Sequence, residues 1–421
     1  MAFSQVDCDA VLDVRRGAAP ALGRRAFCAL GAACLLGLAG CASGSGSEGD
    51  AGEGAAADDG ESVEPAGDSG DADGSSGDGS SSDAVETSSE DPVKLSTFAF
   101  NTLVSLTCYG VSRDDATACL GLCSHYEDLF SARKEGTDIA RVNAAGGEPV
   151  EVDPDTADLL AEALRYGDET EGRFDVTIGS VSLLWDFVEG VRPADSEIEE
   201  ALAHVDYTKV RVDGTTVTLE DPLAKIDLGG IAKGWIAARL VERLQEAGAT
   251  AALVNLGTSS IYALGRKPAT GDASNAASAG TSEGTGEGSP WRIGLRDPKD
   301  SMGSLLGVVE VADTVVTSSG LYDQVFELDG VSYWHILDPR TGYPIETDLL
   351  GDTLVCDDPV RGDALSTTMF SLGVDGAAAW LASEGTIAAM LVDDADEQSF
   401  ANGFEEKCSY ERTSDSSGDR G

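Results

Sequence analysis

Reactive side chains concentrate in four short runs of this chain. The densest is Tyr333–Pro344, Y-W-H-I-L-D-P-R-T-G-Y-P, which sets a histidine, an aspartate, an arginine and a threonine beside two turn prolines. The chain has three histidines, and only His335 stands in such a polar constellation, so it is the first candidate for a base near neutral pH. His125 borders an apolar helical stripe and reads as structural or half-exposed, and His204 shows no polar partners nearby and reads as surface or structure. A second run, Ile226–Trp235, places two glycines at a helix start. Free N–H groups there attract phosphate and Lys233 adds a charge, although the spacing of a P-loop is missing. In the third run, Asp363 and Thr367 stand four apart and share one side of a helix. That carboxylate–hydroxyl pair suits Mg2+ shared with substrate phosphates, while Asp363 alone would also serve as an N-cap. The fourth run, T-E-G-R-F-D-V-T at Thr170–Thr177, is a glycine turn before an aromatic and an aspartate, either the entry to a site or an ordinary helix-to-strand turn.

Around these runs the pattern predicts a strand over Leu95–Tyr109 and a helix over Asp114–Lys134, with Cys119, Leu122, Cys123, Tyr126, Leu129 and Phe130 recurring at three and four. A helix follows over Asp155–Tyr166, with Pro154 in its first turn. Tyr207–Glu220 reads as a hairpin turning at Asp213-Gly214. A strand then ends at Asp227 and a helix runs to Ala247. Ala251–Leu264 reads as strand, turn and strand, and Trp291–Arg296, Leu305–Val311 and Asp352–Cys356 as strands. Thr314–Gly320 reads as a turn rich in glycine and hydroxyls, and a helix from Gly362 closes at Gly373. Strands and helices mix without regular βαβ alternation. The fold class expected is α+β, one globular domain with a largely antiparallel sheet and packed helices.

The formal charge of −47 argues against nucleic acid as a partner, because phosphates need a basic surface. Residues 42–92 are almost entirely Gly, Ser, Ala, Asp and Glu, without Lys or Arg. They cannot bury enough apolar surface to offset ordering entropy and are expected to be a disordered tether. Before them, Arg24-Arg25 and the apolar Ala29–Leu38 read as an export signal, too short to span a bilayer. The signal ends in L-A-G-C, which resembles the bacterial lipobox, so residues 1–40 are expected to be a lipoprotein signal peptide and Cys41 the lipidated residue of a membrane anchor on the extracytoplasmic face. The globular domain then covers 93–406, with a low-complexity insert at 268–290 and a disordered tail at 407–421. Five cysteines follow Cys41, with no CxxC pair, and Cys119 and Cys123 read as core rather than zinc ligands.

In order, T-E-G-R-F-D-V-T-I-G with L-W-D-F, D-L-G-G-I-A-K-G-W, L-V-N-L-G, V-T-S-S-G, H-I-L-D-P-R-T-G-Y-P and D-A-L-S-T-T-M-F-S-L-G resemble the successive motifs of the FAD:protein FMN transferases, the ApbE family. The resemblance spans about Val93–Phe404, and agrees with one α+β domain, as a single body or as two lobes around a flavin cleft. It implies that FAD is bound as substrate with Mg2+ on its pyrophosphate. A threonine or serine hydroxyl of a target flavoprotein attacks the FMN-side phosphorus and AMP leaves. Family targets are subunits of membrane redox pumps and extracytoplasmic flavoproteins. By resemblance His335 is the base. Asp363 and Thr367 hold the metal with a backbone carbonyl near Gly230. Asp227 and Lys233 hold FAD, Arg173, Phe174 and Asp175 form the flavin-contacting turn, and Phe100 and Ile336 touch the cofactor. Asp338, Arg340 and Thr341 organise the His335 loop rather than react. The chain departs from the family at Phe130-Ser131-Ala132-Arg133, which lacks the usual tyrosine after F-S, at Ala238 in place of an Asp, and at Gly257-Thr258 in place of G-G. Two other functions compete: an FAD pyrophosphatase, with water as nucleophile, and a non-catalytic flavin-binding lipoprotein, which would not need His335.

Overall fold

The computed structural model describes residues 91–257, 259–269, 288–299, 304–321 and 324–413. The expected signal peptide, Cys41, the expected tether to residue 90, most of the low-complexity insert and the residues beyond Thr413 lie outside the described residues. The elements in order are β1 (Val93–Ala99), β2 (Thr102–Tyr109), α1 (Arg113–Phe130), α2 (Asp138–Ala144), β3 (Val150–Glu151), α3 (Pro154–Glu169), α4 (Gly179–Ser182), α5 (Asp195–Leu202), β4 (Val210–Asp213), β5 (Thr216–Leu219), α6 (Ala232–Glu246), β6 (Ala251–Leu256), β7 (Ser260–Leu264), β8 (Trp291–Arg296), β9 (Leu305–Val311), β10 (Thr314–Gly320), β11 (Val325–Leu328), β12 (Val331–Trp334), β13 (Leu349–Cys356), α7 (Pro359–Glu384), β14 (Ala388–Asp393), β15 (Gln398–Ala401), α8 (Phe404–Lys407) and β16 (Glu411–Arg412).

The frame is an eight-stranded sheet in the order β1-β2-β6-β7-β10-β13-β14-β15, antiparallel at every rung. Both faces of its centre are covered. Ala252, Val254 and Leu256 point into a core with α1, α3 and α6, while Ala251 and Leu253 meet Trp291, Ile293 and Val309 of a three-stranded sheet, β16-β9-β8. Burial on both faces explains why β6 reads as a continuous apolar run instead of an alternating one. Leu354 and Leu391 pack beneath Leu365, Met369 and Phe370 of α7. A satellite cluster of Val181, Trp185, Ile198 and Leu337, with Phe187, Phe326 and Tyr333 around it, supports the hairpin β11–β12 that leads into His335. Among the described residues no helix is long and apolar enough to cross a membrane.

The α+β antiparallel architecture is as expected, and several boundaries differ. Leu95–Tyr109 is not one strand. It is two, reversed at Phe100-Asn101, where φ of 53° and 58° makes a two-residue hairpin turn without glycine. Thr314–Gly320 is not a turn but a central strand, whose hydroxyls face α7 and the neighbouring strands. No strand ends at Asp227. The amide and carbonyl of Ile226 bond to the Asn143 side chain, and the Asp227 N–H donates to Val176 O, so extended backbone is satisfied without a ladder. The fold also continues past Glu406. Glu411 and Arg412 pair with β9, and Phe404 and Cys408 are core, so residues 407–413 are ordered where disorder was expected. His204 does have a polar partner, Asp221, at 2.9 Å.

Candidate active site

α7 gathers the site. Its own N-cap is Asp358, whose carboxylate accepts from the N–H groups of Val360 and Arg361. Asp363 is therefore released from capping its own helix. It sits one turn in, 6% exposed, and its Oδ2 accepts the Gly234 N–H of α6 at 3.0 Å. α6 has no side-chain cap of its own, since Ile231 stands at its N-cap, and Asp363 supplies an anion there from another helix. Burial pushes the Asp363 carboxyl up, against the opposing pull of Lys233 and the α6 N–H groups. The approach needs Gly234: a Cβ there would lie 2.1 Å from Pro359 O.

Thr367 follows one turn later and Ser371 another, on the same face of α7. A Cβ on Gly230 would lie 3.7 Å from Thr367 Oγ1 and 3.2 Å from the Phe174 ring, so the glycine turn, the hydroxyl and the aromatic meet at one point. Three hard oxygen donors, a carboxylate, a hydroxyl and a carbonyl, suit a Mg2+ that keeps waters and shares phosphate oxygens. Among the described residues no group of three His, Cys, Asp or Glu side chains could hold a metal ion, which leaves no zinc-type site.

The glycine turn is held from below. Asp227 Oδ2 accepts from Ser182 Oγ at 2.6 Å and Oδ1 from the Gly229 N–H at 2.9 Å. Its first task is thus to shape Gly229-Gly230, with lone pairs left for a ligand. Lys233 Nζ makes only a long bond, 3.5 Å, to Gly229 O, which leaves the ammonium available to a phosphate. Arg173 reaches across to Ser371 O of α7 at 3.2 Å. Phe174 is buried with its N–H on Thr170 Oγ1. Asp175 is buried too, and its carboxylate takes Thr177 N, Thr177 Oγ1 and Tyr207 N. Burial pushes its pKa up against those bonds. Asp175 thus fixes the turn from inside.

His335 is half-buried just beyond β12. Ile336, 5% exposed, packs into the core that Leu365, Met369 and Phe370 of α7 share, which docks the histidine loop on the helix carrying Asp363. Asp338 closes the loop. Its carboxylate accepts from Arg340 N, Nε and NH2, and its carbonyl accepts from Thr341 and Gly342. Burial would raise the Asp338 pKa, but the bonds and charge of Arg340, with Arg173 nearby, hold it below the ordinary carboxylate range. Asp338 and Arg340 thus bond to each other within the His335 loop. Phe100 lies in the β1–β2 turn, its N–H on Glu127 Oε1, and its ring is half-buried against the core cluster that also holds Phe174.

Sequence reasoning missed Asn143 and Ser182, which have no motif signal, and met Arg133 only as part of a departure from the family. Arg133, at the departure after F-S, donates to Ser182 O and Trp185 O and so ties α1 to the segment behind Asp227.

These features define a class: a single α+β domain whose polar motifs meet along one face of one helix. Within that class the chain belongs to the ApbE family, whose model matches residues 100–391. Among curated relatives, an FAD:protein FMN transferase of Treponema pallidum is 34% identical over 270 residues, 62% of this chain and 72% of the relative. One of Klebsiella pneumoniae is 32% identical over 288 residues, 67% and 83% of the two chains. Among solved structures, the ApbE protein of Thermotoga maritima superposes with a TM-score of 0.66 at 28% identity, covering 75% of this chain and 98% of its own. The flavin transferase ApbE of Vibrio cholerae gives 0.63 at 25% identity, covering 75% and 98%.

Proposed function

We propose that this chain is a Mg2+-dependent FAD:protein FMN transferase that moves FMN from FAD to a threonine or serine hydroxyl of a target protein and releases AMP. The observation that carries the reading is the gathering on α7: Asp363 and Thr367 beside Gly230, with the His335 loop docked through Ile336 on the same helix. His335 takes the proton of the acceptor hydroxyl. The oxygen forms a bond to the FMN-side phosphorus, the bond from that phosphorus to the bridging oxygen breaks, and AMP departs. The Lys233 ammonium would take the phosphates, the N–H groups at the start of α6 being taken up by Asp363 and by backbone carbonyls, and Asp363, Thr367 and the Gly230 carbonyl would hold the metal. Mg2+ supplies charge neutralisation on the pyrophosphate and the leaving group when bound.

The test is to incubate the protein with FAD, Mg2+ and a threonine-containing acceptor domain and weigh the acceptor. A gain of one FMN less water supports the reading. His335→Ala should abolish the gain while FAD still binds, and full activity in that variant would remove His335 as the base. Free FMN and AMP with an unlabelled acceptor would identify a pyrophosphatase instead. The proposal also sets the domain outside the cytoplasm on a lipid at Cys41, supported by the L-A-G-C sequence. Cys41→Ser should then move the protein from the membrane to the soluble fraction.

A further inference from the structure

Asp352 has no part in the scheme above, and its surroundings are unusual. It lies on β13, 3% exposed, on the sheet face that α7 covers. Its Oδ1 accepts from Ser366 Oγ at 2.7 Å and from the Ser319 N–H at 3.1 Å. Ser366 Oγ is also 2.7 Å from Ser319 Oγ. Ser366 has one hydroxyl proton, so it donates to the carboxyl oxygen and accepts from Ser319. Asp352 Oδ2 is buried with no partner. The polar row continues across the sheet: Thr317 and Ser260 are cross-strand neighbours, and both hydroxyls are buried and unpartnered.

An unsatisfied buried polar atom is destabilising, because it has lost water and gained no partner. Leu354, Leu365 and Met369 fill this face elsewhere, and an aliphatic residue at 352 would pack without that cost. What the carboxyl gains is a connection. Ser366 stands three residues after Asp363 and one before Thr367, on the turn of α7 that bears both. Ser319 stands one residue before the end of β10, from which the chain proceeds to the hairpin that delivers His335. One oxygen therefore ties the Asp363–Thr367 turn to the strand from which the histidine segment departs.

We propose that Asp352 is a positioning residue: through Ser366 and Ser319 it fixes the rotation of α7 about its axis, and with it the placement of Asp363 and Thr367 relative to the His335 loop. This rests on the function proposed above for the meaning of that placement, but not for its existence. Burial pushes the Asp352 pKa up to about 8, so near neutral pH it is mostly the uncharged acid, which an asparagine imitates.

The experiment uses the full chain and the variants Asp352→Leu, Asp352→Asn and Ser366→Ala. Three quantities are read: the melting temperature, hydrogen exchange of the amides of residues 363–367, and the Mg2+ concentration that half-saturates FAD turnover. In Asp352→Leu the melting temperature should hold or rise, while exchange in 363–367 quickens and the half-saturating Mg2+ rises about tenfold, the scale on which supporting residues tune a metal site. Ser366→Ala breaks the same bond with a smaller change and should move both quantities the same way, which keeps the test decisive if the leucine variant fails to fold. Asp352→Asn should stay within roughly twofold of the parent, since it keeps the acceptor. Parental exchange in both Asp352→Leu and Ser366→Ala would overturn the proposal. If the parent protein turns over no FAD, the functional reading fails, and the exchange measurement still decides whether Asp352 fixes α7.

Discussion

Asp363 serves two helices at once. It offers a carboxylate beside Thr367 and it caps the start of α6 through Gly234 N–H. Asp363→Ala should therefore lose metal-dependent turnover and also lower stability by about 1 kcal/mol, the usual worth of a cap. Asp363→Asn, which keeps an acceptor for Gly234, should recover most of the stability and little of the turnover. Chemical denaturation beside a Mg2+ titration separates the two. Asp352 gives a pH signature of its own. Its folded pKa, about 8, lies above the ordinary carboxylate range because of burial, so the folded state holds the proton more tightly. The associated stability is complete below the unfolded pKa and is lost as pH rises through about 8. Asp352→Asn should flatten the decline in urea midpoint over that range, and an unchanged slope would show that the carboxyl does not titrate there. Asp175 and Asp363 are raised by burial as well and add to the parent slope with the same sign.

The crossing of α6 over α7 depends on a missing side chain. Gly234→Ala would put a Cβ 2.1 Å from a backbone carbonyl, which no rotamer change can relieve. Overpacking of this kind costs about 1–3 kcal/mol, so the variant should melt lower and lose the Asp363–Gly234 bond. A parental melting temperature would show that the helices can part freely. This element is also where the sequence was easiest to read. The glycine pair, Lys233, Asp363 and Thr367 are local in sequence and carry their chemistry in their types. What stayed hidden was relational. Asp363 could cap its own helix or reach elsewhere, and only the position of Asp358 decides. Thr314–Gly320 looked like a turn because Thr, Ser and Gly favour turns, yet burial between β7 and β13 overrode that preference. Phe100-Asn101 concealed a hairpin because the first of its positive φ values falls on Phe100, a bulky residue that rarely adopts one, although Asn101 does so readily. The last strand, Glu411–Arg412, is polar and exposed, and its order comes from backbone pairing with β9, which composition does not show.

At the scale of the molecule, all five cysteines of the described domain are buried and unpaired. Burial pushes Cys108, Cys123 and Cys408 up to about 11 and Cys119 and Cys356 up to about 12, so almost no thiolate exists at neutral pH. A thiol reagent should leave these five unmodified in the folded protein and label them all in denaturant. Labelling of any one in the native state would reveal local opening. This reluctance lasts only while the core stays closed, because burial is its cause.

The pairing of Lys267 with Ser289, which exchange both backbone hydrogen bonds, closes the base of the low-complexity insert. Residues 267 and 289 are thereby held side by side by one rung. Closure of a flexible loop costs only about 0.6 kcal/mol for each doubling of its length. A peptide inserted between residues 269 and 288 is expected to leave the Lys267–Ser289 rung in place, and amide hydrogen exchange at those two residues checks it.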